Sequence, residues 1–369
     1  MGRMSYPHGR FGKPSYRSRR DRLSPERFAL LARMPVAVPP AAAARQSARW
    51  PVRAVIARGC AGVCLFGVAL HLTAGDASAF PWYTAYYALP RPVLCGSAVL
   101  AAVFARRRQR LWCWAVAGVL AAWVLACDVG WNLVESSRVP SDALRVAFWN
   151  AAGCPRGMPA ATDEVESFDA NIIGLVEAQR RQMPSYDPQF WQHRFPDYSV
   201  EATRLGMVFL VRGTIHDRGY EKLDRGSHVR WWDVEVAGRP LRAFLVDIAS
   251  NPRQSRHAAL SRLRALVESS GDRPVLILGD FNTPLGAPSL TGLQQAGLRP
   301  AVLEKGHGYR CTWPAPLPLL TLDQLWVNSQ VAVHNAVTGW SWNSDHRPIS
   351  AVVTIGTTAP ADAGRTASP

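Results

Sequence analysis

Along residues 142–357 the apolar positions gather in short runs rich in Val, Ile, Leu and aromatics, separated by polar segments bearing Gly and Pro. These runs predict strands over Leu144–Trp149, Asn171–Val176, Met207–Val211, Arg230–Val236, Leu241–Ile248, Pro274–Leu278, Leu322–Val327 and Ile349–Thr354. One segment keeps a different period. Within residues 255–269, Ala258, Leu260, Leu263, Leu266 and Val267 recur at near-helical spacing, with Ser255 placed as an N-cap. Strands interleaved with helical segments predict an α/β or α+β domain.

Three longer apolar stretches precede this region, over residues 54–73, 84–105 and 111–133. Each approaches the roughly 20 residues that cross a hydrocarbon core, so three transmembrane helices are expected. The third is free of charge from Leu111 to Ala126 and carries Trp112, Trp114, Trp123 and Trp131, which suit an interface. Pro90-Arg91-Pro92 interrupts the second and belongs near one interface, with Arg91 reaching outward. Ala77-Ser78-Ala79 has the small residues of a signal cleavage site, but the basic region ahead of the first stretch is too long for a signal peptide.

Charge sharpens this division. Residues 1–110 hold 18 Lys and Arg against three acids, and the remainder holds 24 of each, so the net charge of +15 lies in the first third. The C-terminal region therefore lacks a global basic footprint for nucleic acid, and the excess bears on topology instead. With positive segments inside, the arm over residues 1–50 and Arg106-Arg107-Arg108-Gln109-Arg110 are cytoplasmic, and the loop near residues 74–83 is outside. That threading makes the chain a multi-pass protein of the cell (inner) membrane with its globular domain extracytoplasmic. The arm, rich in Arg, Pro, Ser and Ala without periodicity, reads as disordered, as does the tail over residues 358–369, and Met34 offers a later start than Met1. Five of the seven cysteines lie in or beside the apolar stretches. Cys154 and Cys311 belong to the globular part, where a disulfide between them is open.

The candidate chemistry sits at the ends of predicted strands. Val275–Leu278 runs into Gly279-Asp280-Phe281-Asn282, offering a carboxylate and an amide two residues apart, although Asp-Phe-Asn-Thr-Pro is also ordinary turn chemistry. Ser344-Asp345-His346 precedes the last strand and joins an acid to an imidazole. Asp323 lies inside the apolar run Leu322–Val327, where an unpaired carboxylate is costly; with His346 as its partner the two form an acid–base pair. Two earlier strands end in Asn150 and Glu177, and Glu177 followed by Ala178-Gln179-Arg180 also reads as the acid at a helix N-terminus. Together Asn150, Glu177, Asp280, Asn282, Asp323, Asp345 and His346 form an oxygen-rich, thiol-free set suited to Mg²⁺ and phosphate rather than to structural zinc.

With Phe148-Trp149-Asn150, Ile173-Gly174-Leu175-Val176-Glu177, Gly279-Asp280-Phe281-Asn282, Thr312-Trp313-Pro314, Leu322-Asp323-Gln324-Leu325 and Ser344-Asp345-His346 in this order, residues 144–355 resemble the endonuclease/exonuclease/phosphatase superfamily, the deoxyribonuclease-I-like fold. The three-stretch leader resembles that of bacterial membrane-bound members. The resemblance implies an α/β (α+β) four-layer sandwich of two mixed β-sheets flanked by helices, preceded by N-terminal transmembrane helices. It implies a metal-dependent phosphoester hydrolase, a phosphodiesterase, nuclease or phosphatase, using Mg²⁺ or alternatively Mn²⁺. Glu177 would bind the metal with Asn150 and Asp345 close to its shell. Asp280 and Asn282 would position water and phosphoryl oxygens, and His346, paired with Asp323, would contact the phosphate or transfer a proton. Its partners would be the lipid bilayer and a phosphoester substrate: nucleic acid, a phospholipid head group or a sugar phosphate.

One position departs from the pattern. Asp247 stands about where many members carry a His. A second metal at Asp247, or replacement charge from Arg253, Arg256 or His257, would meet that change. Reduced activity or another substrate would also follow from it, as would a membrane protein that uses the fold only to bind a phosphorylated ligand or partner.

Overall fold

The computed structural model describes residues 40–73, 82–132, 139–179 and 188–356. The basic arm lies outside them up to residue 39, and so does the tail over residues 358–369. From Pro40 the chain is helical as far as Thr73, so residues 40–50 continue into the first apolar stretch; four consecutive alanines, Ala41–Ala44, favour this. Within that helix Val52–Thr73, and separately Arg107–Asp128, are long and apolar enough to cross a membrane.

The second stretch is not one span. It forms two helices, Trp82–Ala88 and Arg91–Phe104, broken at Leu89 and Pro90, because the prolines lack amide hydrogens and disfavour helical backbone before them. The 14 residues of Arg91–Phe104 rise about 21 Å, short of a core about 30 Å thick. Nor does Arg91 reach outward. Its Nη2 lies 2.6 Å from Asp128 Oδ1 and its Nε 3.0 Å from Oδ2, a two-pronged pair with the last residue of Arg107–Asp128. The third stretch ends there, and residues 129–131 leave the helix as a strand. The helices pack through Cys64, Leu94, Ala98, Ala117 and Leu120. At Gly67 an added Cβ would come within 2.3 Å of the end of the Leu94 side chain, so glycine lets Leu94 seat closely against this helix.

The strands, in chain order, are β1 (Val129–Trp131), β2 (Leu144–Asn150), β3 (Ile172–Val176), β4 (Ser199–Ala202), β5 (Val208–Val211), β6 (Thr214–Asp224) and β7 (Ser227–Val236). After them come β8 (Arg239–Asp247), β9 (Val275–Asp280), β10 (Arg299–Pro300), β11 (Gly306–Tyr309), β12 (Asp323–Val327), β13 (Val331–Thr338) and β14 (Ile349–Ile355). They form two mixed sheets, ordered β1-β11-β13-β14-β2-β3-β5-β4 and β10-β12-β9-β8-β7-β6. All eight strands read from the apolar runs are present. The helix read over 255–269 spans His257–Glu268; its N-cap is Arg256 rather than Ser255, whose Oγ accepts from the His257 amide at 3.3 Å.

The sheets meet face to face over a core that includes Phe148, Ile172, Phe244 and Leu325, all buried. Phe209 from one sheet stacks on Trp232 from the other with centroids 4.3 Å apart. Each such buried side chain contributes about 1.5–3 kcal/mol. Met158–Ser167 packs against Trp149 and Ile173, and His257–Glu268 buries Leu260, Leu263 and Val267, so helices flank the sheet pair. Cys154 and Cys311 are both buried and are not joined in a disulfide.

Candidate active site

Strand polarity brings the polar ends together. β2 and β3 run parallel, with Asn150 opposite Val176 and Glu177 immediately beyond. In the other sheet β8 and β9 also run parallel and finish with Asp247 opposite Asp280, while antiparallel β12 begins with Asp323 opposite the same Asp280. Three carboxylates thus stand side by side on adjacent strands. Asn150 ties the two sheets: its Nδ2 donates to Asp280 Oδ2 at 3.0 Å and to Glu177 Oε1 at 3.2 Å.

Local backbone fixes where these groups point. At Gly279 a Cβ would lie 2.5 Å from the Val246 carbonyl oxygen, so strands β8 and β9 approach only with glycine there. Glu177 (φ 51°) and Asn282 (φ 44°) adopt the left-handed region, which is strained for their side chains and recurs at functional sites. Among the described residues Glu177 starts no helix, and the Ala178 amide instead donates to the Gly206 carbonyl at 2.9 Å.

Asp280 is buried and accepts three hydrogen bonds, from the Asn282 amide (2.8 Å), Asn282 Nδ2 (2.9 Å) and Asn150 Nδ2. The second interaction of Asn282 Nδ2 is with the Ile248 carbonyl at 2.7 Å, so its amide hydrogens are committed within the protein. His346 Nδ1 lies 2.9 Å from Asp323 Oδ2 and 3.1 Å from Oδ1; among the described residues Nε2 makes no hydrogen bond. Asp345 is exposed, and its Oδ2 accepts from Trp313 Nε1 at 3.0 Å.

Burial, and next the Asp323 carboxylate, push the Asp280 carboxyl up to about 7, against the lowering influence of His346 and the hydrogen bonds. Asp247 also lies well above the usual carboxylate range through burial and the negative charges of Asp280 and Glu177. Burial opposes a charged His346, but Asp323, by charge and hydrogen bond, outweighs it with help from Asp280 and Asp345 and lifts the ring to about 10. The site holds a protonated imidazole on one side and crowded carboxyls on the other.

Two positioning residues had no role assigned from sequence, though both lie in motifs quoted above. Thr312 Oγ1 accepts from the Leu322 and Asp323 amides at 3.1 and 3.2 Å. Ser344 Oγ donates to the Asn150 carbonyl at 2.8 Å and accepts from the His346 amide at 2.9 Å. Replacement charge near Asp247 does not come from Arg256: it is buried, and its guanidinium donates to the carbonyls of Asn282 (3.2 Å), Asn251 (2.7 Å) and Gln254. Arg253 is exposed, and His257 Nε2 is buried without a hydrogen-bond partner among the described residues.

Ligand atoms of Asp280, Asp323 and His346 lie within 4.8 Å of one another, a grouping that could hold a metal ion. An imidazolium held by Asp323 is a poor ligand. Glu177 and Asp247 bring two further carboxylates near Asp280, and their mutual repulsion favours added positive charge.

Several solved structures are similar to this chain. An endonuclease/exonuclease/phosphatase family protein from Bacteroides thetaiotaomicron shares 15% identity with a TM-score of 0.49, covering 58% of this chain and 98% of its own. The mannosyl-6-phosphatase of Bacteroides thetaiotaomicron VPI-5482 shares 14% with a TM-score of 0.48, covering 57% and 100%. The human Nocturnin catalytic domain with bound sulfate shares 13% with a TM-score of 0.47, covering 61% and 98%. No curated protein matches. The profile of the Endonuclease/Exonuclease/phosphatase family matches residues 147–346, from β2 to His346 itself. The chain belongs to the endonuclease/exonuclease/phosphatase family.

Proposed function

We propose that this protein is a membrane-anchored hydrolase of phosphoesters that works with Mg²⁺ or Mn²⁺. The observation that carries the reading is the meeting of Asn150, Glu177, Asp247, Asp280, Asn282, Asp323 and His346 at the ends of two sheets, within the span of the family match. Glu177 and Asp280, with Asp247 beside them, would hold the cation, and Asn150 orients both of the first two. The cation would neutralise charge on the phosphoryl oxygens and favour an attacking hydroxide.

The chain's own groups supply the rest. Asp280, ionised beside the cation and held by Asn150 and Asn282, would position the attacking water. His346 presents Nε2–H to a phosphoryl oxygen or to the leaving group, while Asp323 keeps the ring charged. Asn282 acts through Asp280 as a positioning residue, since its amide hydrogens are taken by Asp280 and the Ile248 carbonyl. Asp345 orients Trp313 at the rim.

Two features support the membrane reading. The apolar windows of Val52–Thr73 and Arg107–Asp128 are each only 17% buried, where a core helix of a soluble protein would be mostly covered. Leu65, Leu72, Leu111, Trp112 and Val119 face outward from these helices. The C-terminal end of Pro40–Thr73, the N-terminal end of Arg91–Phe104 and the C-terminal end of Arg107–Asp128 share one end of the bundle, with Arg106–Arg108 and Arg110 at the other. That arrangement supports a cytoplasmic arginine cluster and an extracytoplasmic hydrolase domain. The test is turnover by the purified full chain of bis-p-nitrophenyl phosphate, DNA, RNA and sugar phosphates with Mg²⁺ or Mn²⁺. Hydrolysis lost on chelation is the expected result; a full panel without metal-dependent turnover refutes the reading and favours a phosphate-binding protein.

A further inference from the structure

Among the described residues, no linker separates the last apolar helix from the first strand of the hydrolase sheet. Arg107–Asp128 passes directly into β1, which pairs with β11 from Val129 opposite Tyr309 to Trp131 opposite His307. The Arg310 amide donates to the Asp128 carbonyl at 2.9 Å, and its side chain to the Cys127 carbonyl at 3.2 Å. At Gly130 a Cβ would lie 2.3 Å from the Gly306 carbonyl oxygen, so the two segments meet at backbone distance.

The same helix ends pack on the loops that carry the candidate site. Leu70, Tyr86 and Ala287 form one buried cluster. Thr84 Oγ1 donates to the Pro252 carbonyl at 2.7 Å, and the Arg256 guanidinium, which holds the Asn282 carbonyl, lies 5.7 Å from the Tyr87 ring centre. A small cavity has Arg91 and Asp128 on one wall and Pro284, Leu285 and Leu320 on the other. Pro284 and Leu285 follow the Asp280–Asn282 motif after Thr283.

Two further loops flank Arg310–Thr312 in the fold. One, Trp313–Leu320, exposes Leu317 (76%); the other, leading from Trp340 to His346, exposes Trp340 (44%) and Trp342 (61%). Both reach the site, through the Trp313–Asp345 hydrogen bond and through His346. Large apolar side chains at the rim of a polar site, on a domain fixed to the ends of membrane helices, suit the lipid interface. A dissolved polyanion finds no such match, because beyond residue 110 acids and bases are equal in number.

We infer that the substrate is a phosphoester carried on a membrane lipid, whose acyl chains remain in the bilayer beside Leu317 and Trp342 while its phosphate reaches Asp280 and His346. The inference rests on the hydrolase and membrane readings above. The full chain is reconstituted in phosphatidylcholine vesicles doped with phosphatidic acid or phosphatidylglycerol, and its turnover is compared with that of glycerol 3-phosphate and glycerophosphoglycerol, the same head groups without acyl chains. DNA and RNA are run in parallel, with bis-p-nitrophenyl phosphate as the reference for an active enzyme. At least one doped lipid should be hydrolysed with kcat/KM about 100-fold above its soluble counterpart. In the Leu317→Ser/Trp342→Ser variant the ratio of lipid to reference turnover should fall at least about tenfold. Equal turnover of lipid and soluble head group, faster turnover of nucleic acid, or an unchanged ratio in the variant overturns the inference while leaving the hydrolase reading standing. Absence of all turnover, reference included, overturns both.

Discussion

Replacing Asp323 with Asn removes the negative charge that keeps His346 protonated while retaining the size of the side chain. In the native pair the ring is lifted from 6.5 to about 10, a gap worth on the order of 5 kcal/mol between its charged and neutral forms. Burial, the largest opposing influence, stays when Asp323 goes, and only the lesser pull of Asp280 and Asp345 then favours the charge, so the variant ring loses its proton at lower pH than the native ring. At pH 8.5 the native ring remains charged, whereas a much smaller fraction of variant molecules would carry the proton. Initial rates of bis-p-nitrophenyl phosphate hydrolysis between pH 5 and 9, with saturating Mg²⁺ and product read after an alkaline quench, measure this. The ratio of Asp323→Asn activity to native activity should be highest at the acid end of this range and fall as pH rises, because only the variant ring loses its proton there. An equal fold-loss at every pH would refute the reasoning, since it would leave Asp323 as a support for the ring and not the source of its charge.

Further outcomes follow from the same geometry. Gly279→Ala should lower stability by about 1–3 kcal/mol, because its Cβ would meet the Val246 carbonyl at 2.5 Å; a Tm within error of native contradicts this. Arg91→Ala should cost about 3–5 kcal/mol by leaving Asp128 buried and unpaired at the junction with β1, read as a lower Tm in detergent. Without a cation, the folded protein keeps the Asp280 proton between 3.8 and about 7 where the unfolded chain has lost it, so stability falls as pH rises through that window. His346 acts in the same direction: its contribution is complete below 6.5 and is lost as pH rises towards about 10. Mg²⁺ should therefore raise the Tm more at pH 8 than at pH 5, and an equal rise at both would contradict the placement of the cation beside Asp280.

The strands legible in the sequence carry unbroken or alternating apolar positions: β3 and β9, each in a parallel pair, are buried at every position, while β14 alternates buried and half-buried residues. By contrast β6, an edge strand with most of its side chains exposed, reads as a polar loop. His334 and Asn335, where the pairing register shifts, interrupt the pattern of β13. Strands β1, β4, β10 and β11 are only two to four residues long, and β1, β10 and β11 are defined by partners distant in sequence. In particular, β1 passed for the end of the third membrane stretch because Val129-Gly130-Trp131 is apolar. The position of Asp280, Glu177 and Asn150 was readable because a polar group closing an apolar strand has few reasons to be there. What each group touches was not. The commitment of Asn282 to the Ile248 carbonyl and the Arg91–Asp128 pair, 37 residues apart, depend on tertiary approach that no local pattern carries.

The central claim is that the carboxylate where β8, β9 and β12 meet drives phosphoester hydrolysis with a divalent cation. Its most direct test compares the purified full chain with Asp280→Ala for bis-p-nitrophenyl phosphate turnover in Mg²⁺, after matched unfolding curves show both proteins folded. The account predicts metal-dependent turnover by the native protein and a loss of at least about 100-fold in the variant. Equal turnover by the two proteins would contradict it.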